Sequence, residues 1–235
     1  MRTRVVPVPL SISNAYLLLG DRPVLVDTGV PGEEARLAEA LRAHRVAPED
    51  LTLIALTHGH TDHAGSVNGV AAGGAPVAIG AGDASLLRAG VNGVLPATGP
   101  AGVLLRPYIR RMTFGGAVPK IEVTEPLRLE PYGVNGAMVP TGGHTPGSCV
   151  LLLDGGDAVI GDLARGGFAS GRIRPGYPLR HYFAEDAEGV RRALDRVLAW
   201  EPSRLFTGHG GPLSANDVRR RLNAIAPHRQ KGPRP

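Results

Sequence analysis

The sequence predicts an α/β chain, a four-layer αββα sandwich of two mixed β-sheets with helices outside. Three observations lead there. Short apolar runs such as Val24-Leu25-Val26 and Cys149-Val150-Leu151-Leu152-Leu153 have strand length rather than helix length. Amphipathic segments, clearest at 32–44 and 184–200, alternate with them. Each half of the chain reads as strands followed by helices, which lets two sheets pack face to face with helices on the outer surfaces.

Taken in order, 4–10, 15–19 and 23–26 read as strands, with a turn at Gly20-Asp21-Arg22. Pro31 opens a helix over 32–44, whose apolar stripe is Ala35, Leu37, Ala38, Leu41 and Ala43. A strand is expected at 51–56, a short helix at 64–72 and a strand at 77–79. Asp83 is placed to cap a helix at 84–89. Residues 90–120 break the rhythm with repeated Gly and Pro and a short helix at 104–112, and read as a lid. Strands resume at 121–124, 127–130, 136–140, 148–153 and 157–161, with a hairpin signal at Gly155-Gly156. Residues 165–183 read as a second irregular stretch, a pocket loop. The helix at 184–200 turns Val190, Ala193, Leu194, Val197 and Leu198 inward. A last strand, Leu205-Phe206, leads to a helix from Ser214 to about Ala226. The expected domain is 1–226, followed by a disordered basic tail at 227–235.

Composition narrows the function classes. Of 235 residues, 43% are hydrophobic but only 4% aromatic, so the core is built from Leu, Val and Ala. The formal charge is +5, carried mostly by dispersed arginines. No aromatic-interleaved basic stripe for single strands is present, so nucleic acid is not an expected partner. An anionic small molecule is the preferred explanation of the charge. The single cysteine, Cys149, permits no internal disulfide and lies in an apolar run. No run reaches the roughly 18 apolar residues of a membrane span, and no signal-peptide pattern opens the chain. The expectation is a cytoplasmic protein, monomer or homodimer, with no membrane partner.

Chemistry concentrates in Thr57-His58-Gly59-His60-Thr61-Asp62-His63-Ala64-Gly65, directly after an apolar strand. Imidazole and carboxylate are zinc ligand types, and a loop leaving a strand can aim several of them at one point. Further polar residues sit at the ends of other apolar runs: Asp27-Thr28-Gly29, Gly143-His144-Thr145-Pro146-Gly147, Gly161-Asp162 and Gly208-His209-Gly210. Glycine beside each lets the backbone turn tightly.

This ordered set resembles the metallo-β-lactamase-fold superfamily of metal-dependent hydrolases over residues 4 to 226. The resemblance implies the αββα sandwich and a dinuclear site with two Zn²⁺, iron or manganese being alternatives. By position in the motifs, His58, His60 and His144 would hold one metal. Asp62, His63 and His209 would hold the other, and Asp162 would bridge them, leaving Asp62 and Asp162 as the catalytic carboxylates. A metal-bridging hydroxide would then be the nucleophile, with no serine or cysteine required. Asp27 is expected behind the ligands, accepting a hydrogen bond from a ligand histidine or from the metal-loop backbone. Tyr108, Arg165, Tyr177 and His181 are candidate substrate contacts. Arginines recur around them: Arg106, Arg110 and Arg111 in one irregular stretch, Arg172, Arg174 and Arg180 in the other.

The full ligand set resembles the glyoxalase II-like and lactonase-like branches, which implies cleavage of an ester, thioester or lactone of a small, anionic substrate. Asp162 at the bridging position and the lack of a signal peptide argue against a β-lactamase-like amide hydrolase. The chain after His209 holds one helix and a tail, short for a glutathione-binding extension. A mononuclear iron enzyme of the persulfide dioxygenase kind is the redox alternative, and a metal-free binding module the non-enzymatic one.

Overall fold

The computed structural model describes residues 3–227. Six strands form the first sheet in sequence order: β1 (Arg4–Pro9), β2 (Asn14–Leu19), β3 (Pro23–Val26), β4 (Leu53–Leu56), β5 (Val77–Gly80) and β6 (Ile121–Val123). Its first three strands run antiparallel, and β3 through β6 are mutually parallel. The helices α1 (Glu34–Ala43), α2 (Thr61–Ala64), α3 (Val67–Ala71), α4 (Ala84–Ala89) and α5 (Pro100–Ile109) belong to this half. The second sheet is built from β7 (Leu127–Arg128), β8 (Gly136–Pro140), β9 (Cys149–Leu153), β10 (Asp157–Gly161) and, after an intervening hairpin, β13 (Arg204–Thr207). Its order is β13-β10-β9-β8-β7, with only the β10–β13 pair parallel. The hairpin is β11 (Arg165–Phe168) with β12 (Ile173–Leu179), and α6 (Ala187–Ala199) and α7 (Ala215–Ile225) complete the chain.

Side-chain alternation explains the layers. Along a strand, successive residues point to opposite faces. In β2 and β3, Tyr16, Leu18, Val24 and Val26 face the second sheet, where they meet Met138, Leu151, Val159 and Phe206. The intervening Leu17 and Leu25, with Ile54, Leu56 and Ile79, face outward onto Leu37, Leu41, Val67, Val70 and Leu87 of the helices. In the second half, Val150, Ala158, Ile160 and Leu205 face Val190, Leu194, Val197, Val218 and Leu222 of α6 and α7. Three apolar cores therefore separate four layers. Because both faces of the central strands are covered, these strands read as continuous apolar runs rather than as a polar–apolar alternation.

The topology also positions the site. β3 and β4 run parallel, as do β10 and β13, and β8 shares their direction through two antiparallel steps. The segments leaving the C-terminal ends of these five strands carry Asp27, His58–His63, His144, Asp162 and His209. All five loops emerge at one rim of the sandwich.

Several local expectations are corrected. The stretch 165–183 is not irregular but contains the β11–β12 ribbon, whose strands lack apolar alternation because most of β12 has no buried face. The helix read at 64–72 shortens to α3, and a separate turn, α2, forms within the histidine loop before it. The helix within 90–120 begins at Pro100, where proline's missing N–H costs nothing, and ends at Ile109 rather than 112. Asp83 makes no side-chain cap to α4, and neither does Ser214 to α7. Cys149 is buried, as its apolar run implies. The tail after Pro227, including His228, lies outside the described residues.

Candidate metal centre

Strand β3 is followed directly by Asp27, whose φ of 59° lies in the left-handed region that aspartate tolerates better than most residues. This turn directs the carboxylate under the loop that follows β4. Its Oδ1 accepts the Thr57 N–H at 2.7 Å, and its Oδ2 accepts the Thr57 hydroxyl at 2.8 Å. The same Oδ2 lies 2.8 Å from His63 Nδ1. Asp27 therefore makes both kinds of contact expected of it.

The other imidazoles are oriented by the same device. His144 Nδ1 lies 2.9 Å from the Phe183 carbonyl, and His209 Nδ1 lies 2.7 Å from the Ile12 carbonyl. His58 Nδ1 is 3.1 Å from the Thr57 hydroxyl. An Nδ1–H donated outward leaves Nε2 as the lone-pair nitrogen facing the centre. His60 has no such anchor, and its Nδ1 instead approaches His144 Nε2 at 3.0 Å.

The inward atoms converge. Ligand atoms of His58, His60 and His144 lie within 4.8 Å of one another, and so do those of Asp62, His63 and His209. Asp162 lies between the two sets: its Oδ2 is 3.8 Å from His58 Nε2, 3.6 Å from His144 Nε2, 3.5 Å from His63 Nε2 and 3.4 Å from His209 Nε2. Asp62 Oδ2 is 3.4 Å from His209 Nε2. His181, from the segment after β12, joins the group with its Nε2 3.1 Å from Asp162 Oδ2. Its ring stacks on His209 and meets His144 edge to face.

The donor set fits divalent metal. The Nε2 atoms of His58, His60 and His63 and Oδ1 of Asp162 are buried without a hydrogen-bond partner. Buried polar atoms are ordinarily satisfied, so a cluster of orphans facing one point calls for a cation. Gly208 is glycine for a related reason, since a Cβ there would collide with Asp162 Oδ1 and the His63 ring.

Electrostatics agree. Burial pushes His60 and His144 down to about 4 and His181 down to about 3, and holds His58 well below its ordinary value with help from neighbouring imidazoles. These rings are neutral near pH 7, the form that binds metal. For His209, burial is outweighed by Asp162 and Asp62, which raise it to about 10. His63 is likewise held well above its ordinary value, with Asp162, Asp27 and Asp62 overriding its burial. Burial opposes ionisation of Asp62 and Asp162, yet the surrounding imidazoles keep both carboxyls below the usual range. Carboxylates in excess around these two rings hold protons that a divalent ion can displace.

Two supporting residues carried no signal of this role in the sequence. Asp83 is buried, and its carboxylate accepts the Gly59 N–H at 2.8 Å, the Gly147 N–H at 2.8 Å and the Thr145 hydroxyl at 2.7 Å. It thus ties the loop after β4 to the loop carrying His144. Asn92 accepts the Thr61 N–H at 2.7 Å and donates to the Ile109 carbonyl at 2.7 Å, joining α2 to the end of α5.

The candidate substrate contacts divide. His181 reaches the centre. Arg165 lies with its guanidinium 4.2 Å from the Tyr182 ring centroid and donates to the Arg180 and Gly167 carbonyls. Tyr177 stacks on Phe168 and under Arg221, 4.1 Å away, on the α7 side of the ribbon, and is not brought to the cluster. Tyr108 is an exposed residue of α5, and neither tyrosine lines the cavity beside Asp162. Of the arginines, Arg106, Arg110 and Arg111 are exposed, whereas Arg180 lines that cavity.

Comparison with known proteins places this architecture. Residues 8–209 match the family model described as the metallo-beta-lactamase superfamily. The chain is 30% identical over 218 residues to the uncharacterized protein YobT of Bacillus subtilis, covering 88% of this chain and 87% of that one. Among solved structures, the superfamily protein ST1585 of Sulfolobus tokodaii aligns with a TM-score of 0.67 at 19% identity, over 95% of this chain and 86% of that one. TTHA1623, solved in a di-iron-bound form, aligns with a TM-score of 0.64 at 24% identity, over 92% of this chain and 97% of that one. Among the described residues, no helix is long and apolar enough to cross a membrane. The cluster and the fold together support a metal-dependent hydrolase, and the chain belongs to the metallo-beta-lactamase superfamily.

Proposed function

We propose that the protein is a dinuclear metal-dependent hydrolase acting on an ester, thioester or lactone bond of a small substrate. One observation carries the reading: Asp162 lies between two separate ligand triads, and one of its carboxylate oxygens is buried without a partner. His58, His60 and His144 would hold one metal and Asp62, His63 and His209 the other, with Asp162 shared. Bound there, the metals supply a water of near-neutral pKa and polarise the scissile carbonyl.

The chain's own residues supply the rest. Asp27, Phe183 and Ile12 fix the orientation of His63, His144 and His209; on loading, His144 Nε2 exchanges its contact with His60 for the metal. Asp62 is the more exposed of the two central carboxylates. Kept ionised, it can take a proton from the attacking water and return it to the leaving group. His181 is neutral near pH 7 and stands over both triads, where it can donate a hydrogen bond to a substrate oxygen. Zinc is the proposed metal. The di-iron form of TTHA1623 supports iron as the alternative.

Metal analysis of the purified protein, paired with a screen of thioesters, lactones, phosphodiesters and β-lactams, tests the reading. Two metals per chain and turnover of an ester-class substrate, lost in Asp162→Ala, are expected. One iron with oxygen consumption would replace hydrolysis by oxygenation. No stoichiometric metal would leave a binding module.

A further inference from the structure

A cavity of about 140 Å³ opens onto the cluster, sharing Asp162 and His181 with it. Its other walls are mostly apolar: Leu163 after β10, Phe183 between β12 and α6, Ala187 at the start of α6, Val190 within α6, and Ile225 at the end of α7. An apolar cavity of about 150 Å³ holds one benzene-sized molecule, so this one takes an aliphatic group of roughly six heavy atoms.

Arg180 breaks the apolar lining. Its Nε is buried without a hydrogen-bond partner. Its Nη1 donates only a long bond, 3.3 Å, to the Thr98 carbonyl, and Thr98 also lines the cavity. Among the described residues no carboxylate pairs with it, although other arginines of this chain, such as Arg204 with Asp157, do have partners. A guanidinium with free donors beside an apolar wall is suited to a carboxylate, which it can bind through two parallel N–H···O bonds.

We infer that this cavity is the subsite for the acyl group, and that the acyl group ends in a free carboxylate bound by Arg180. Resting on the hydrolase reading above, this names the substrate class: a half-ester or half-thioester of a short aliphatic dicarboxylic acid. The reacting carbonyl would lie at Asp162 and His181 and the far carboxylate at Arg180. The apolar walls contribute affinity along the chain, and Arg180 discriminates against neutral acyl groups of the same length.

The test uses an uncleavable pair, so that it does not depend on turnover. 5-Oxohexanoate carries a ketone in place of the ester carbonyl and ends in a carboxylate; 2-heptanone is a neutral counterpart. Titration calorimetry of the full-length, metal-loaded protein should show 5-oxohexanoate binding weakened roughly tenfold or more in Arg180→Met, with 2-heptanone unchanged. Ala187→Phe, at an exposed position that tolerates a larger side chain, should weaken both by filling the cavity. Thermal melts confirm folding of each variant. Kinetically, a glutaryl thioester should exceed a hexanoyl thioester in kcat/KM, and Arg180→Met should remove the difference through KM. Equal binding of 5-oxohexanoate to wild type and Arg180→Met would overturn the inference, even if esters are cleaved. Arginine-dependent binding without cleavage of any ester or thioester would retain the subsite and overturn the hydrolase reading.

Discussion

Asp27 Oδ2 lies 2.8 Å from His63 Nδ1, and the same carboxylate holds both the backbone N–H and the hydroxyl of Thr57, the residue before His58. One side chain at the end of β3 therefore sets a ligand from each triad. Asp27→Asn keeps the size but replaces an acceptor with an amide donor. Turned towards His63, that donor would force the ring into the tautomer whose protonated nitrogen faces the metal. Metal affinity should fall roughly 10- to 100-fold, and the metal-free protein should also melt lower, because the buried Thr57 hydroxyl loses its acceptor and His63 its carboxylate partner. Competition with a chromophoric chelator measures it, and an unchanged affinity would reduce Asp27 to a turn residue.

Gly208→Ala tests the packing behind the centre. A Cβ at 208 collides with Asp162 Oδ1 and with the His63 ring. His63 is held by Asp27 and the contacts on Gly208 come from both side chains, so the methyl group must displace a ligand. Metal content should drop most at the site using Asp62, His63 and His209, while the sheets remain intact. Full loading of both sites in this variant would show that Asp162 has room to move.

Asp83→Ala addresses a residue away from the ligands. The substitution leaves the Gly59 and Gly147 N–H groups without their acceptor in a buried setting, while the Thr145 hydroxyl keeps only the Ser148 hydroxyl, 2.8 Å away. Each unpaired group costs roughly 1–3 kcal/mol, so a stability loss of about 3 kcal/mol or more is expected, read from denaturant unfolding. The first triad draws on both loops that Asp83 joins, so metal affinity should fall along with stability. Loss of stability at constant affinity would mean that the loops hold their geometry without it.

These positions differ in how far the sequence reveals them. The central strands were legible because burial on both faces makes an apolar run, and the metal loops because histidine spacing and flanking glycine are local patterns. The ribbon of β11 and β12 escaped because residues 173–176 are exposed and no hydrophobic period marks them. Asp83 looked like a helix cap from its neighbours in sequence. Its true partners are 24 and 64 residues away. His181 and Arg180 lie in that same ribbon segment, where only the folded arrangement distinguishes them from Tyr177, which packs towards α7.

The metal-free protein should show a stability optimum near pH 6.5, and loading should change its shape. His60 and His144 have folded values near 4 and His181 near 3, below the ordinary value of 6.5. Between pH 6.5 and 4 the unfolded chain binds more protons at these rings than the folded one, so stability is lost as pH falls. The slope is about 1.4 kcal/mol per pH unit for each full proton of difference. His209, raised to about 10, acts in the opposite direction. Its contribution is complete below 6.5, where both states are protonated, and is lost as pH rises towards 10. Metal displaces the proton on His209, so a loaded protein should lose this alkaline decline while keeping the acid one, and metal uptake near pH 7.5 should release protons. Denaturant unfolding from pH 4 to 10, with and without chelator, measures both limbs. His63, also held above its ordinary value, belongs to the same limb, so an alkaline decline of equal slope with and without metal would remove both His209 and His63 from the ligand set.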